Sequence, residues 1–162
     1  MEGALLELYR HKTWATLRLI EFCQGVDDEV LEATHPGTYG SIRETLRHLV
    51  RAEEGYFARL TGERFREPLP QSGAVPLGEL ADRLRLLGAE WEKLAADGDV
   101  QTREFTTDDG WRLAGAIIMA QAIHHADDHR THILSVLSSR GIEGPDIDVW
   151  MYADATGKVH HV

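Results

Sequence analysis

Cysteine, basic side chains and long apolar runs are scarce in this chain of 162 residues. A single cysteine excludes an internal disulfide and any cysteine-rich zinc site. The chain has 17 lysines and arginines against 27 acidic residues, and its net charge of −10 argues against a surface that binds nucleic-acid phosphates. No apolar run approaches the roughly 20 residues that a membrane-spanning helix needs. The sequence therefore predicts neither a nucleic-acid partner nor a membrane anchor.

The remaining composition is that of an ordinary globular domain. Hydrophobic residues make up 43% of the chain and charged residues 27%. This length is enough for one domain with a proper core, so we interpret residues 1–162 as a single domain. The first residues lack the basic region and apolar core of a secretory signal, and we expect a cytoplasmic protein.

Histidine is the residue that the chain concentrates, because four of its nine histidines lie within residues 124–132. On a helix, at about 100° per residue, His125 and His129 lie one turn apart on one face, and His132 extends that face. His124 points elsewhere. The neighbouring apolar residues share the direction of the pair, so this face is predicted to point inward. Imidazoles spaced i and i+4 can bind one metal ion together.

An inward histidine cluster has two interpretations. Buried polar groups need partners, which here could be a metal ion, carboxylates or water. A cluster of hydrogen-bonded core histidines would meet this need without an ion, so the pattern alone leaves both interpretations open. Asp128 lies nearer the histidine face than Asp127, which is more simply a solvated residue. Arg130 points away from His125 by about 140°, which favours packing or an ion pair.

Four amphipathic segments predict an all-α four-helix bundle. Their apolar residues repeat at intervals of three or four, and the segments span residues 5–24, 41–60, 76–98 and 111–139. Residues 103–106 could form a short extended piece. The last twenty residues predict an irregular tail, which we expect Trp150 and Met151 to dock on the bundle. Bundles build metal sites from side chains on facing helices.

The second of these helices brings a further histidine candidate. Ser41 and Glu44 have the spacing of a capping box, which fixes where the helix begins. His48 lies at the edge of the apolar stripe and could face the histidine pair across the core. Glu53, on the apolar side, is a weaker polar candidate. On its own, His48 would be a boundary histidine with a water partner.

Three segments resemble the DinB-like (DinB/YfiT-type) superfamily of metal-dependent enzymes. Residues 40–50, Gly-Ser-Ile-Arg-Glu-Thr-Leu-Arg-His-Leu-Val, look like the family's second helix with its metal histidine. Residues 125–130 fit the His-x-x-x-His-Arg motif of the last long helix, and residues 146–153 resemble the C-terminal segment. Many members continue the motif as Arg-Gly-Gln. Here Arg130-Thr131-His132 follows, which adds His132 as a fourth imidazole near the site.

The resemblance implies a divalent metal ion, zinc or nickel, held by His48, His125 and His129. An open three-histidine site could activate water or a low-molecular-weight thiol for transferase, isomerase or hydrolase chemistry on a small-molecule substrate. The resemblance also implies a homodimer. Metal binding should weaken as the pH falls through about 6, because protonated imidazole cannot ligate.

Two other functions would fit the same sequence. One is a non-catalytic metal- or thiol-binding protein of the stress response, and the other is a structural bundle with a histidine core and no metal. Loops 33–40 and 103–111 are the expected walls of a substrate pocket. Cys23 is interpreted as a small buried thiol. His160 and His161, near the terminus, carry little weight as ligands.

Overall fold

Four long helices form the bundle in the computed structural model, which describes residues 3–107 and 110–160. In chain order the elements are α1 (Ala4–Cys23), α2 (Asp28–Leu31), α3 (Ile42–Thr61), α4 (Leu77–Ala96), α5 (Gly98–Thr102), β1 (Glu104–Thr106), β2 (Arg112–Ala114), α6 (Gly115–Ser139) and α7 (Val149–Ala155). The predicted all-α four-helix bundle is confirmed. Among the described residues, no helix combines the length and the apolarity needed to cross a membrane.

The capping box fixes the start of α3 as predicted. The Ser41 hydroxyl accepts the backbone N–H of Glu44 at 3.2 Å, and the Glu44 carboxylate accepts the backbone N–H of Ser41 at 3.0 Å. These bonds satisfy two N–H groups that the first turn of a helix would leave unpaired. At the other end Gly62 adopts a left-handed conformation with φ of 77°, which ends the helix. The position of His48 along the bundle follows from this start.

Two predicted helix boundaries are wrong. α4 ends at Ala96, before Gly98, which instead begins the short helix α5. The last long helix begins at Gly115 and not near residue 111, because residues 112–114 pair with β1 in an antiparallel hairpin. A Cβ at Gly115 would lie 2.0 Å from the carbonyl oxygen of Val100, so the close approach of α5 requires glycine there.

The bundle core consists of two clusters of buried residues along the inner faces of the long helices. α1 packs mainly on α4, and α3 packs mainly on α6. The apolar stripe predicted for α4 is largely buried: Leu80, Leu84, Leu87 and Trp91 are inaccessible to solvent, and its last member, Leu94, is half-buried. At Gly88 a Cβ would lie 2.5 Å from the Thr13 side chain, so this glycine lets α1 and α4 approach closely. His48 lies on α3, and His125 and His129 lie on α6. Because these two helices pack on each other, the histidine site can form between them.

The C-terminal tail docks through different residues from those predicted. Trp150 and Met151 are 76% and 40% exposed, whereas Tyr152 is only 5% exposed. The Tyr152 hydroxyl donates to the Glu7 carboxylate at 3.1 Å, and its ring contacts Trp14 edge-on at a centroid distance of 5.7 Å. The tail forms the short helix α7, which points Tyr152 inward and turns Trp150 about 200° away from it. The irregular tail expected from the sequence is thus helical in this part.

Candidate metal centre

Three imidazoles from α3 and α6 converge on one point. The Nε2 atom of His125 lies 3.0 Å from Nε2 of His48 and 3.1 Å from Nε2 of His129. Metal–nitrogen bonds of about 2.0–2.1 Å, at angles of about 90–110°, would place such atoms about 3.0–3.4 Å apart. The structure thus brings together the three predicted candidates, with their ligand atoms within 4.8 Å of one another, and the two shorter distances match those of ligands on one ion.

Hydrogen bonding alone does not satisfy this cluster. The Nε2 atom of His125 faces both other rings, and it offers either one proton or one lone pair. It can donate to one neighbour, or it must share a single lone pair between two donors. The buried Nδ1 atoms of His125 and His129 have no hydrogen-bond partner among the described residues. A metal ion would accept the lone pairs of all three Nε2 atoms at once, whereas a shared proton can join only two of them. The three nitrogens therefore fit a metal ion better than a hydrogen-bonded cluster.

The surroundings keep these rings neutral at pH 7. Burial, together with the neighbouring His48, lowers the pKa of His125 to about 4. Burial and then His125 lower the pKa of His129 to about 4. Burial, followed by the positive charges of Arg51 and Arg47, also lowers the pKa of His48. Neutral imidazoles have a free lone pair for a metal, so these shifts favour ligation.

Two tyrosines border the site. Tyr39, from the loop of residues 33–40, stacks on His48 at a centroid distance of 4.2 Å and meets His129 edge-on at 5.0 Å. Tyr56 meets His125 edge-on at 5.6 Å. Neither tyrosine was predicted to border the site, and Tyr56 was expected only as part of the apolar stripe of its helix. Tyr56 could have been found, because it follows His48 by two helical turns and lies about 80° from it. Tyr39 precedes the helix and carries no such spacing signal.

The two predicted loops lie in different places. The first contributes Tyr39 to the site, as expected of a pocket wall. The described part of the second loop lines a cavity near the C-terminal end of α3, with Phe105 and Thr106 beside Arg59. Residues 108 and 109 of this loop lie outside the described residues. The role of the second loop as a wall of the histidine site stays a prediction.

His132 and Asp128 form a second polar group beside the centre. The His132 ring lies 5.3 Å from the His129 ring, and its Nε2 is 3.9 Å from the Asp128 carboxylate. Asp128, His129 and His132 could also share an ion by distance, but this set needs His129, which already faces His125. Asp127 is exposed, and His124 is exposed as well. His132, Asp128, Asp127 and His124 thus lie where the helical spacing predicts them relative to the inward face.

Arg130 and Glu53 lie behind the site and not in it. Arg130 is 3% exposed and donates to the Lys12 carbonyl at 3.3 Å and to the Thr16 hydroxyl at 3.1 Å. It also pairs with the Asp127 carboxylate at 3.2 Å. The Glu53 side chain is fully buried in an ion pair with Lys12. Glu53 lies about 140° from His48 around α3, which explains why this candidate faces α1.

Cys23 is a buried thiol, as predicted. Burial raises its pKa to about 12, so the thiolate needed for nucleophilic chemistry is not formed at pH 7. His160 is exposed, and His161 lies outside the described residues. The three clustered histidines therefore remain the candidate metal ligands.

Comparison with known proteins identifies the family and supports the fold. Residues 1–160 match the family model described as the DinB family. A DinB-like protein from Bacillus cereus is similar in structure, with a TM-score of 0.71, 17% identity, and coverage of 89% of this chain and 95% of that one. YfiT from Bacillus subtilis, described as a probable metal-dependent hydrolase with an unusual four-helix bundle topology, gives a TM-score of 0.67 at 14% identity.

The YfiT alignment covers 88% of this chain and 92% of YfiT. Among curated proteins, none matches the chain significantly. At these identities the two solved structures establish the fold, whereas the family model spans nearly every residue. The chain belongs to the DinB family.

Proposed function

We propose that this protein is a metal-dependent enzyme whose divalent ion is held by His48, His125 and His129. The observation that carries this proposal is the convergence of three neutral imidazoles. The Nε2 atom of His125 lies 3.0 Å from that of His48 and 3.1 Å from that of His129. Membership of the DinB family and similarity to a probable metal-dependent hydrolase support it. Histidine ligands suit zinc and nickel equally well, so both metals are candidates.

An ion with three protein ligands would have coordination positions left for water, a small thiol or substrate. When bound, the metal would lower the pKa of that water or thiol and so supply a nucleophile. The chain's own part is to hold the ion between two rigid helices and to border it with Tyr39 and Tyr56. We expect hydrolase, transferase or isomerase chemistry on a small molecule, with a low-molecular-weight thiol as the candidate cosubstrate. We also propose that the protein is a homodimer.

Elemental analysis of untagged protein tests the metal site. We expect about one zinc or nickel ion per chain in the wild type, and loss of that ion in His129→Ala. His124→Ala is the matched control, because His124 is an exposed neighbour on the same helix, and it should keep the metal. Stoichiometric metal in a double variant, His48→Ala with His129→Ala, would contradict the three-histidine site. So would a wild type that takes up neither ion.

Turnover then separates an enzyme from a binding protein. The metal-loaded wild type would be assayed with an activated ester alone, and with an aryl halide plus a small thiol. Release of the alcohol from the ester indicates water activation. Displacement of halide by the thiol, which forms a carbon–sulfur bond and releases halide and a proton, indicates transferase activity. Metal binding without either reaction would favour the non-catalytic alternative.

A further inference from the structure

A cavity of about 450 Å³ beside the histidine site is lined by four arginines. They come from α3 and from the segment that follows it, and are Arg51, Arg59, Arg64 and Arg66. The one acidic residue of the lining is Glu54, whose carboxylate accepts from Arg83 at 3.0 Å. The cavity wall is therefore strongly positive in a chain whose net charge is −10. This contrast makes the cavity a distinct feature of the surface.

The arginines of this cavity are available to a ligand. Arg51 donates through Nε to the Leu69 carbonyl at 3.2 Å. In the described parts of the chain, Arg59, Arg64 and Arg66 make no ion pair, and the Arg66 guanidinium lies over the Phe65 ring at 5.9 Å. Like charges around one concave surface repel each other, and a bound anion would relieve that repulsion. Guanidinium groups bind carboxylate and phosphate through paired N–H donors.

The cavity also adjoins the proposed metal centre. Tyr56 is part of its wall, and the same ring meets His125 at a centroid distance of 5.6 Å. Ala52, another wall residue, follows His48 by one turn of α3. Phe65 adds an apolar surface, and its ring packs edge-on against Phe57 of α3 at a centroid distance of 5.9 Å. A small molecule could thus lie along α3 with one end among the arginines and the other near the histidines.

We infer that this cavity binds the carboxylate or phosphate group of an anionic small molecule whose other end reaches the three histidines. The assignment of that other end rests on the proposed metal-dependent function, whereas the anion site rests on the arginines alone. A volume of about 450 Å³ is typical of a site for a small organic ligand. The substrate or cosubstrate of this enzyme is therefore expected to carry negative charge.

Calorimetric titration of metal-free protein with phenyl phosphate and with benzoate tests the anion site. Phenyl phosphate and benzoate distinguish a phosphate ligand from a carboxylate ligand, and benzyl alcohol is the neutral control. We expect saturable binding of at least one anion and none of the alcohol. Arg59→Gln with Arg64→Gln should weaken binding by about tenfold or more, because each charge-assisted contact contributes strongly.

The matched control removes the same charge elsewhere. Arg18 and Arg140 are exposed arginines outside this cavity, and Arg18→Gln with Arg140→Gln should change affinity by less than about twofold. Arg66→Glu provides a second cavity variant if the first does not fold. Absence of saturable anion binding, or equal losses in the cavity and control variants, would overturn the inference.

Metal uptake, measured on the same preparations after zinc or nickel is added, keeps the two proposals separate. If the wild type binds phenyl phosphate or benzoate but takes up no metal, the metal-dependent function is refuted and the anion site remains. Stoichiometric metal with no anion binding would refute only the anion site.

Discussion

Protonation of two imidazoles of the candidate metal centre should make the stability of the metal-free protein depend on pH. The pKa values of His125 and His129 are lowered from 6.5 to about 4. Between about pH 6.5 and 4 the unfolded chain therefore binds more protons at these residues than the folded chain does. We expect the unfolding free energy of the metal-free protein to fall as the pH is lowered through this window. Urea denaturation at several pH values measures this dependence.

The variant His125→Gln with His129→Gln should flatten this pH dependence. His35→Gln, in an exposed loop, should leave it unchanged. Equal slopes in wild type and double variant would contradict the lowered pKa values. The weakening of metal binding below about pH 6 stays a prediction. The lowered pKa values of His125 and His129 favour an acid limit below pH 6, because neutral imidazoles keep their lone pairs to a lower pH.

Single residues of the site could be predicted where helical spacing carries the information. His125 and His129 follow from the interval of four, and His48 follows from the capped helix that holds it. Tyr39 could not be assigned, because its contact with His48 depends on the conformation of a loop. The arginine cavity was also missed, since it combines α3 with an irregular segment that has no periodicity.

At the scale of elements, the cap of α3 contributes to stability. Ser41→Ala removes the hydroxyl that accepts the Glu44 N–H, and we expect a loss of about 1 kcal/mol in the free energy of unfolding. Ser135→Ala is the control, because this exposed serine is inside α6 and donates only to the Thr131 carbonyl. Its effect should stay within about 0.5 kcal/mol. Similar losses in both variants, measured by urea denaturation, would argue against a special role of the cap.

A buried ion pair joins α1 to α3. The side chains of Lys12 and Glu53 are both inaccessible to solvent, and burial lowers the pKa of Lys12 although Glu53 opposes that shift. Glu53→Gln leaves a buried ammonium without its charge partner, so we expect a loss of about 3–5 kcal/mol in the unfolding free energy. Lys12→Met with Glu53→Gln should recover a large part of this loss.

A double-mutant cycle from urea denaturation measures the coupling between Lys12 and Glu53. Additive losses from the two single substitutions would show that the two charges do not depend on each other. Arg130 lies close to this pair and donates to the Lys12 carbonyl, so α6 is joined to the same network.

Elements with strong periodicity were predictable, and short elements were not. The leucine stripe of α4 and the capping box of α3 identify their helices without further information. The extended piece expected over residues 103–106 agrees with β1, but its partner strand was missed. Each strand has only three residues, and the pairing depends on contacts between residues 104–106 and 112–114. The direction of Tyr152 likewise depends on α7, which is too short to show a repeat.

At the scale of the whole molecule, bound metal should stabilise the native state. Zinc or nickel at about one hundred times its dissociation constant adds about 2.7 kcal/mol. For a domain of this size we expect the melting temperature to rise by roughly 5–10 °C. Differential scanning calorimetry measures the shift, which His129→Ala should abolish. An equal shift in that variant would indicate binding elsewhere, for example at the terminal histidines.

The homodimer is a second property of the whole molecule and stays a prediction. Sedimentation equilibrium measures it directly, and a single species with the mass of one 18.2 kDa chain would contradict it.

The position of the histidines on two helices has a mechanical consequence. His48 and His125 are 77 residues apart in sequence, and the chain's single cysteine allows no covalent bridge within it. An ion held by both would act as a removable cross-link between α3 and α6. These helices could then separate only after a ligand had left the ion. The lifetime of the folded state would be set by the rate of metal release, and a chelator would shorten it.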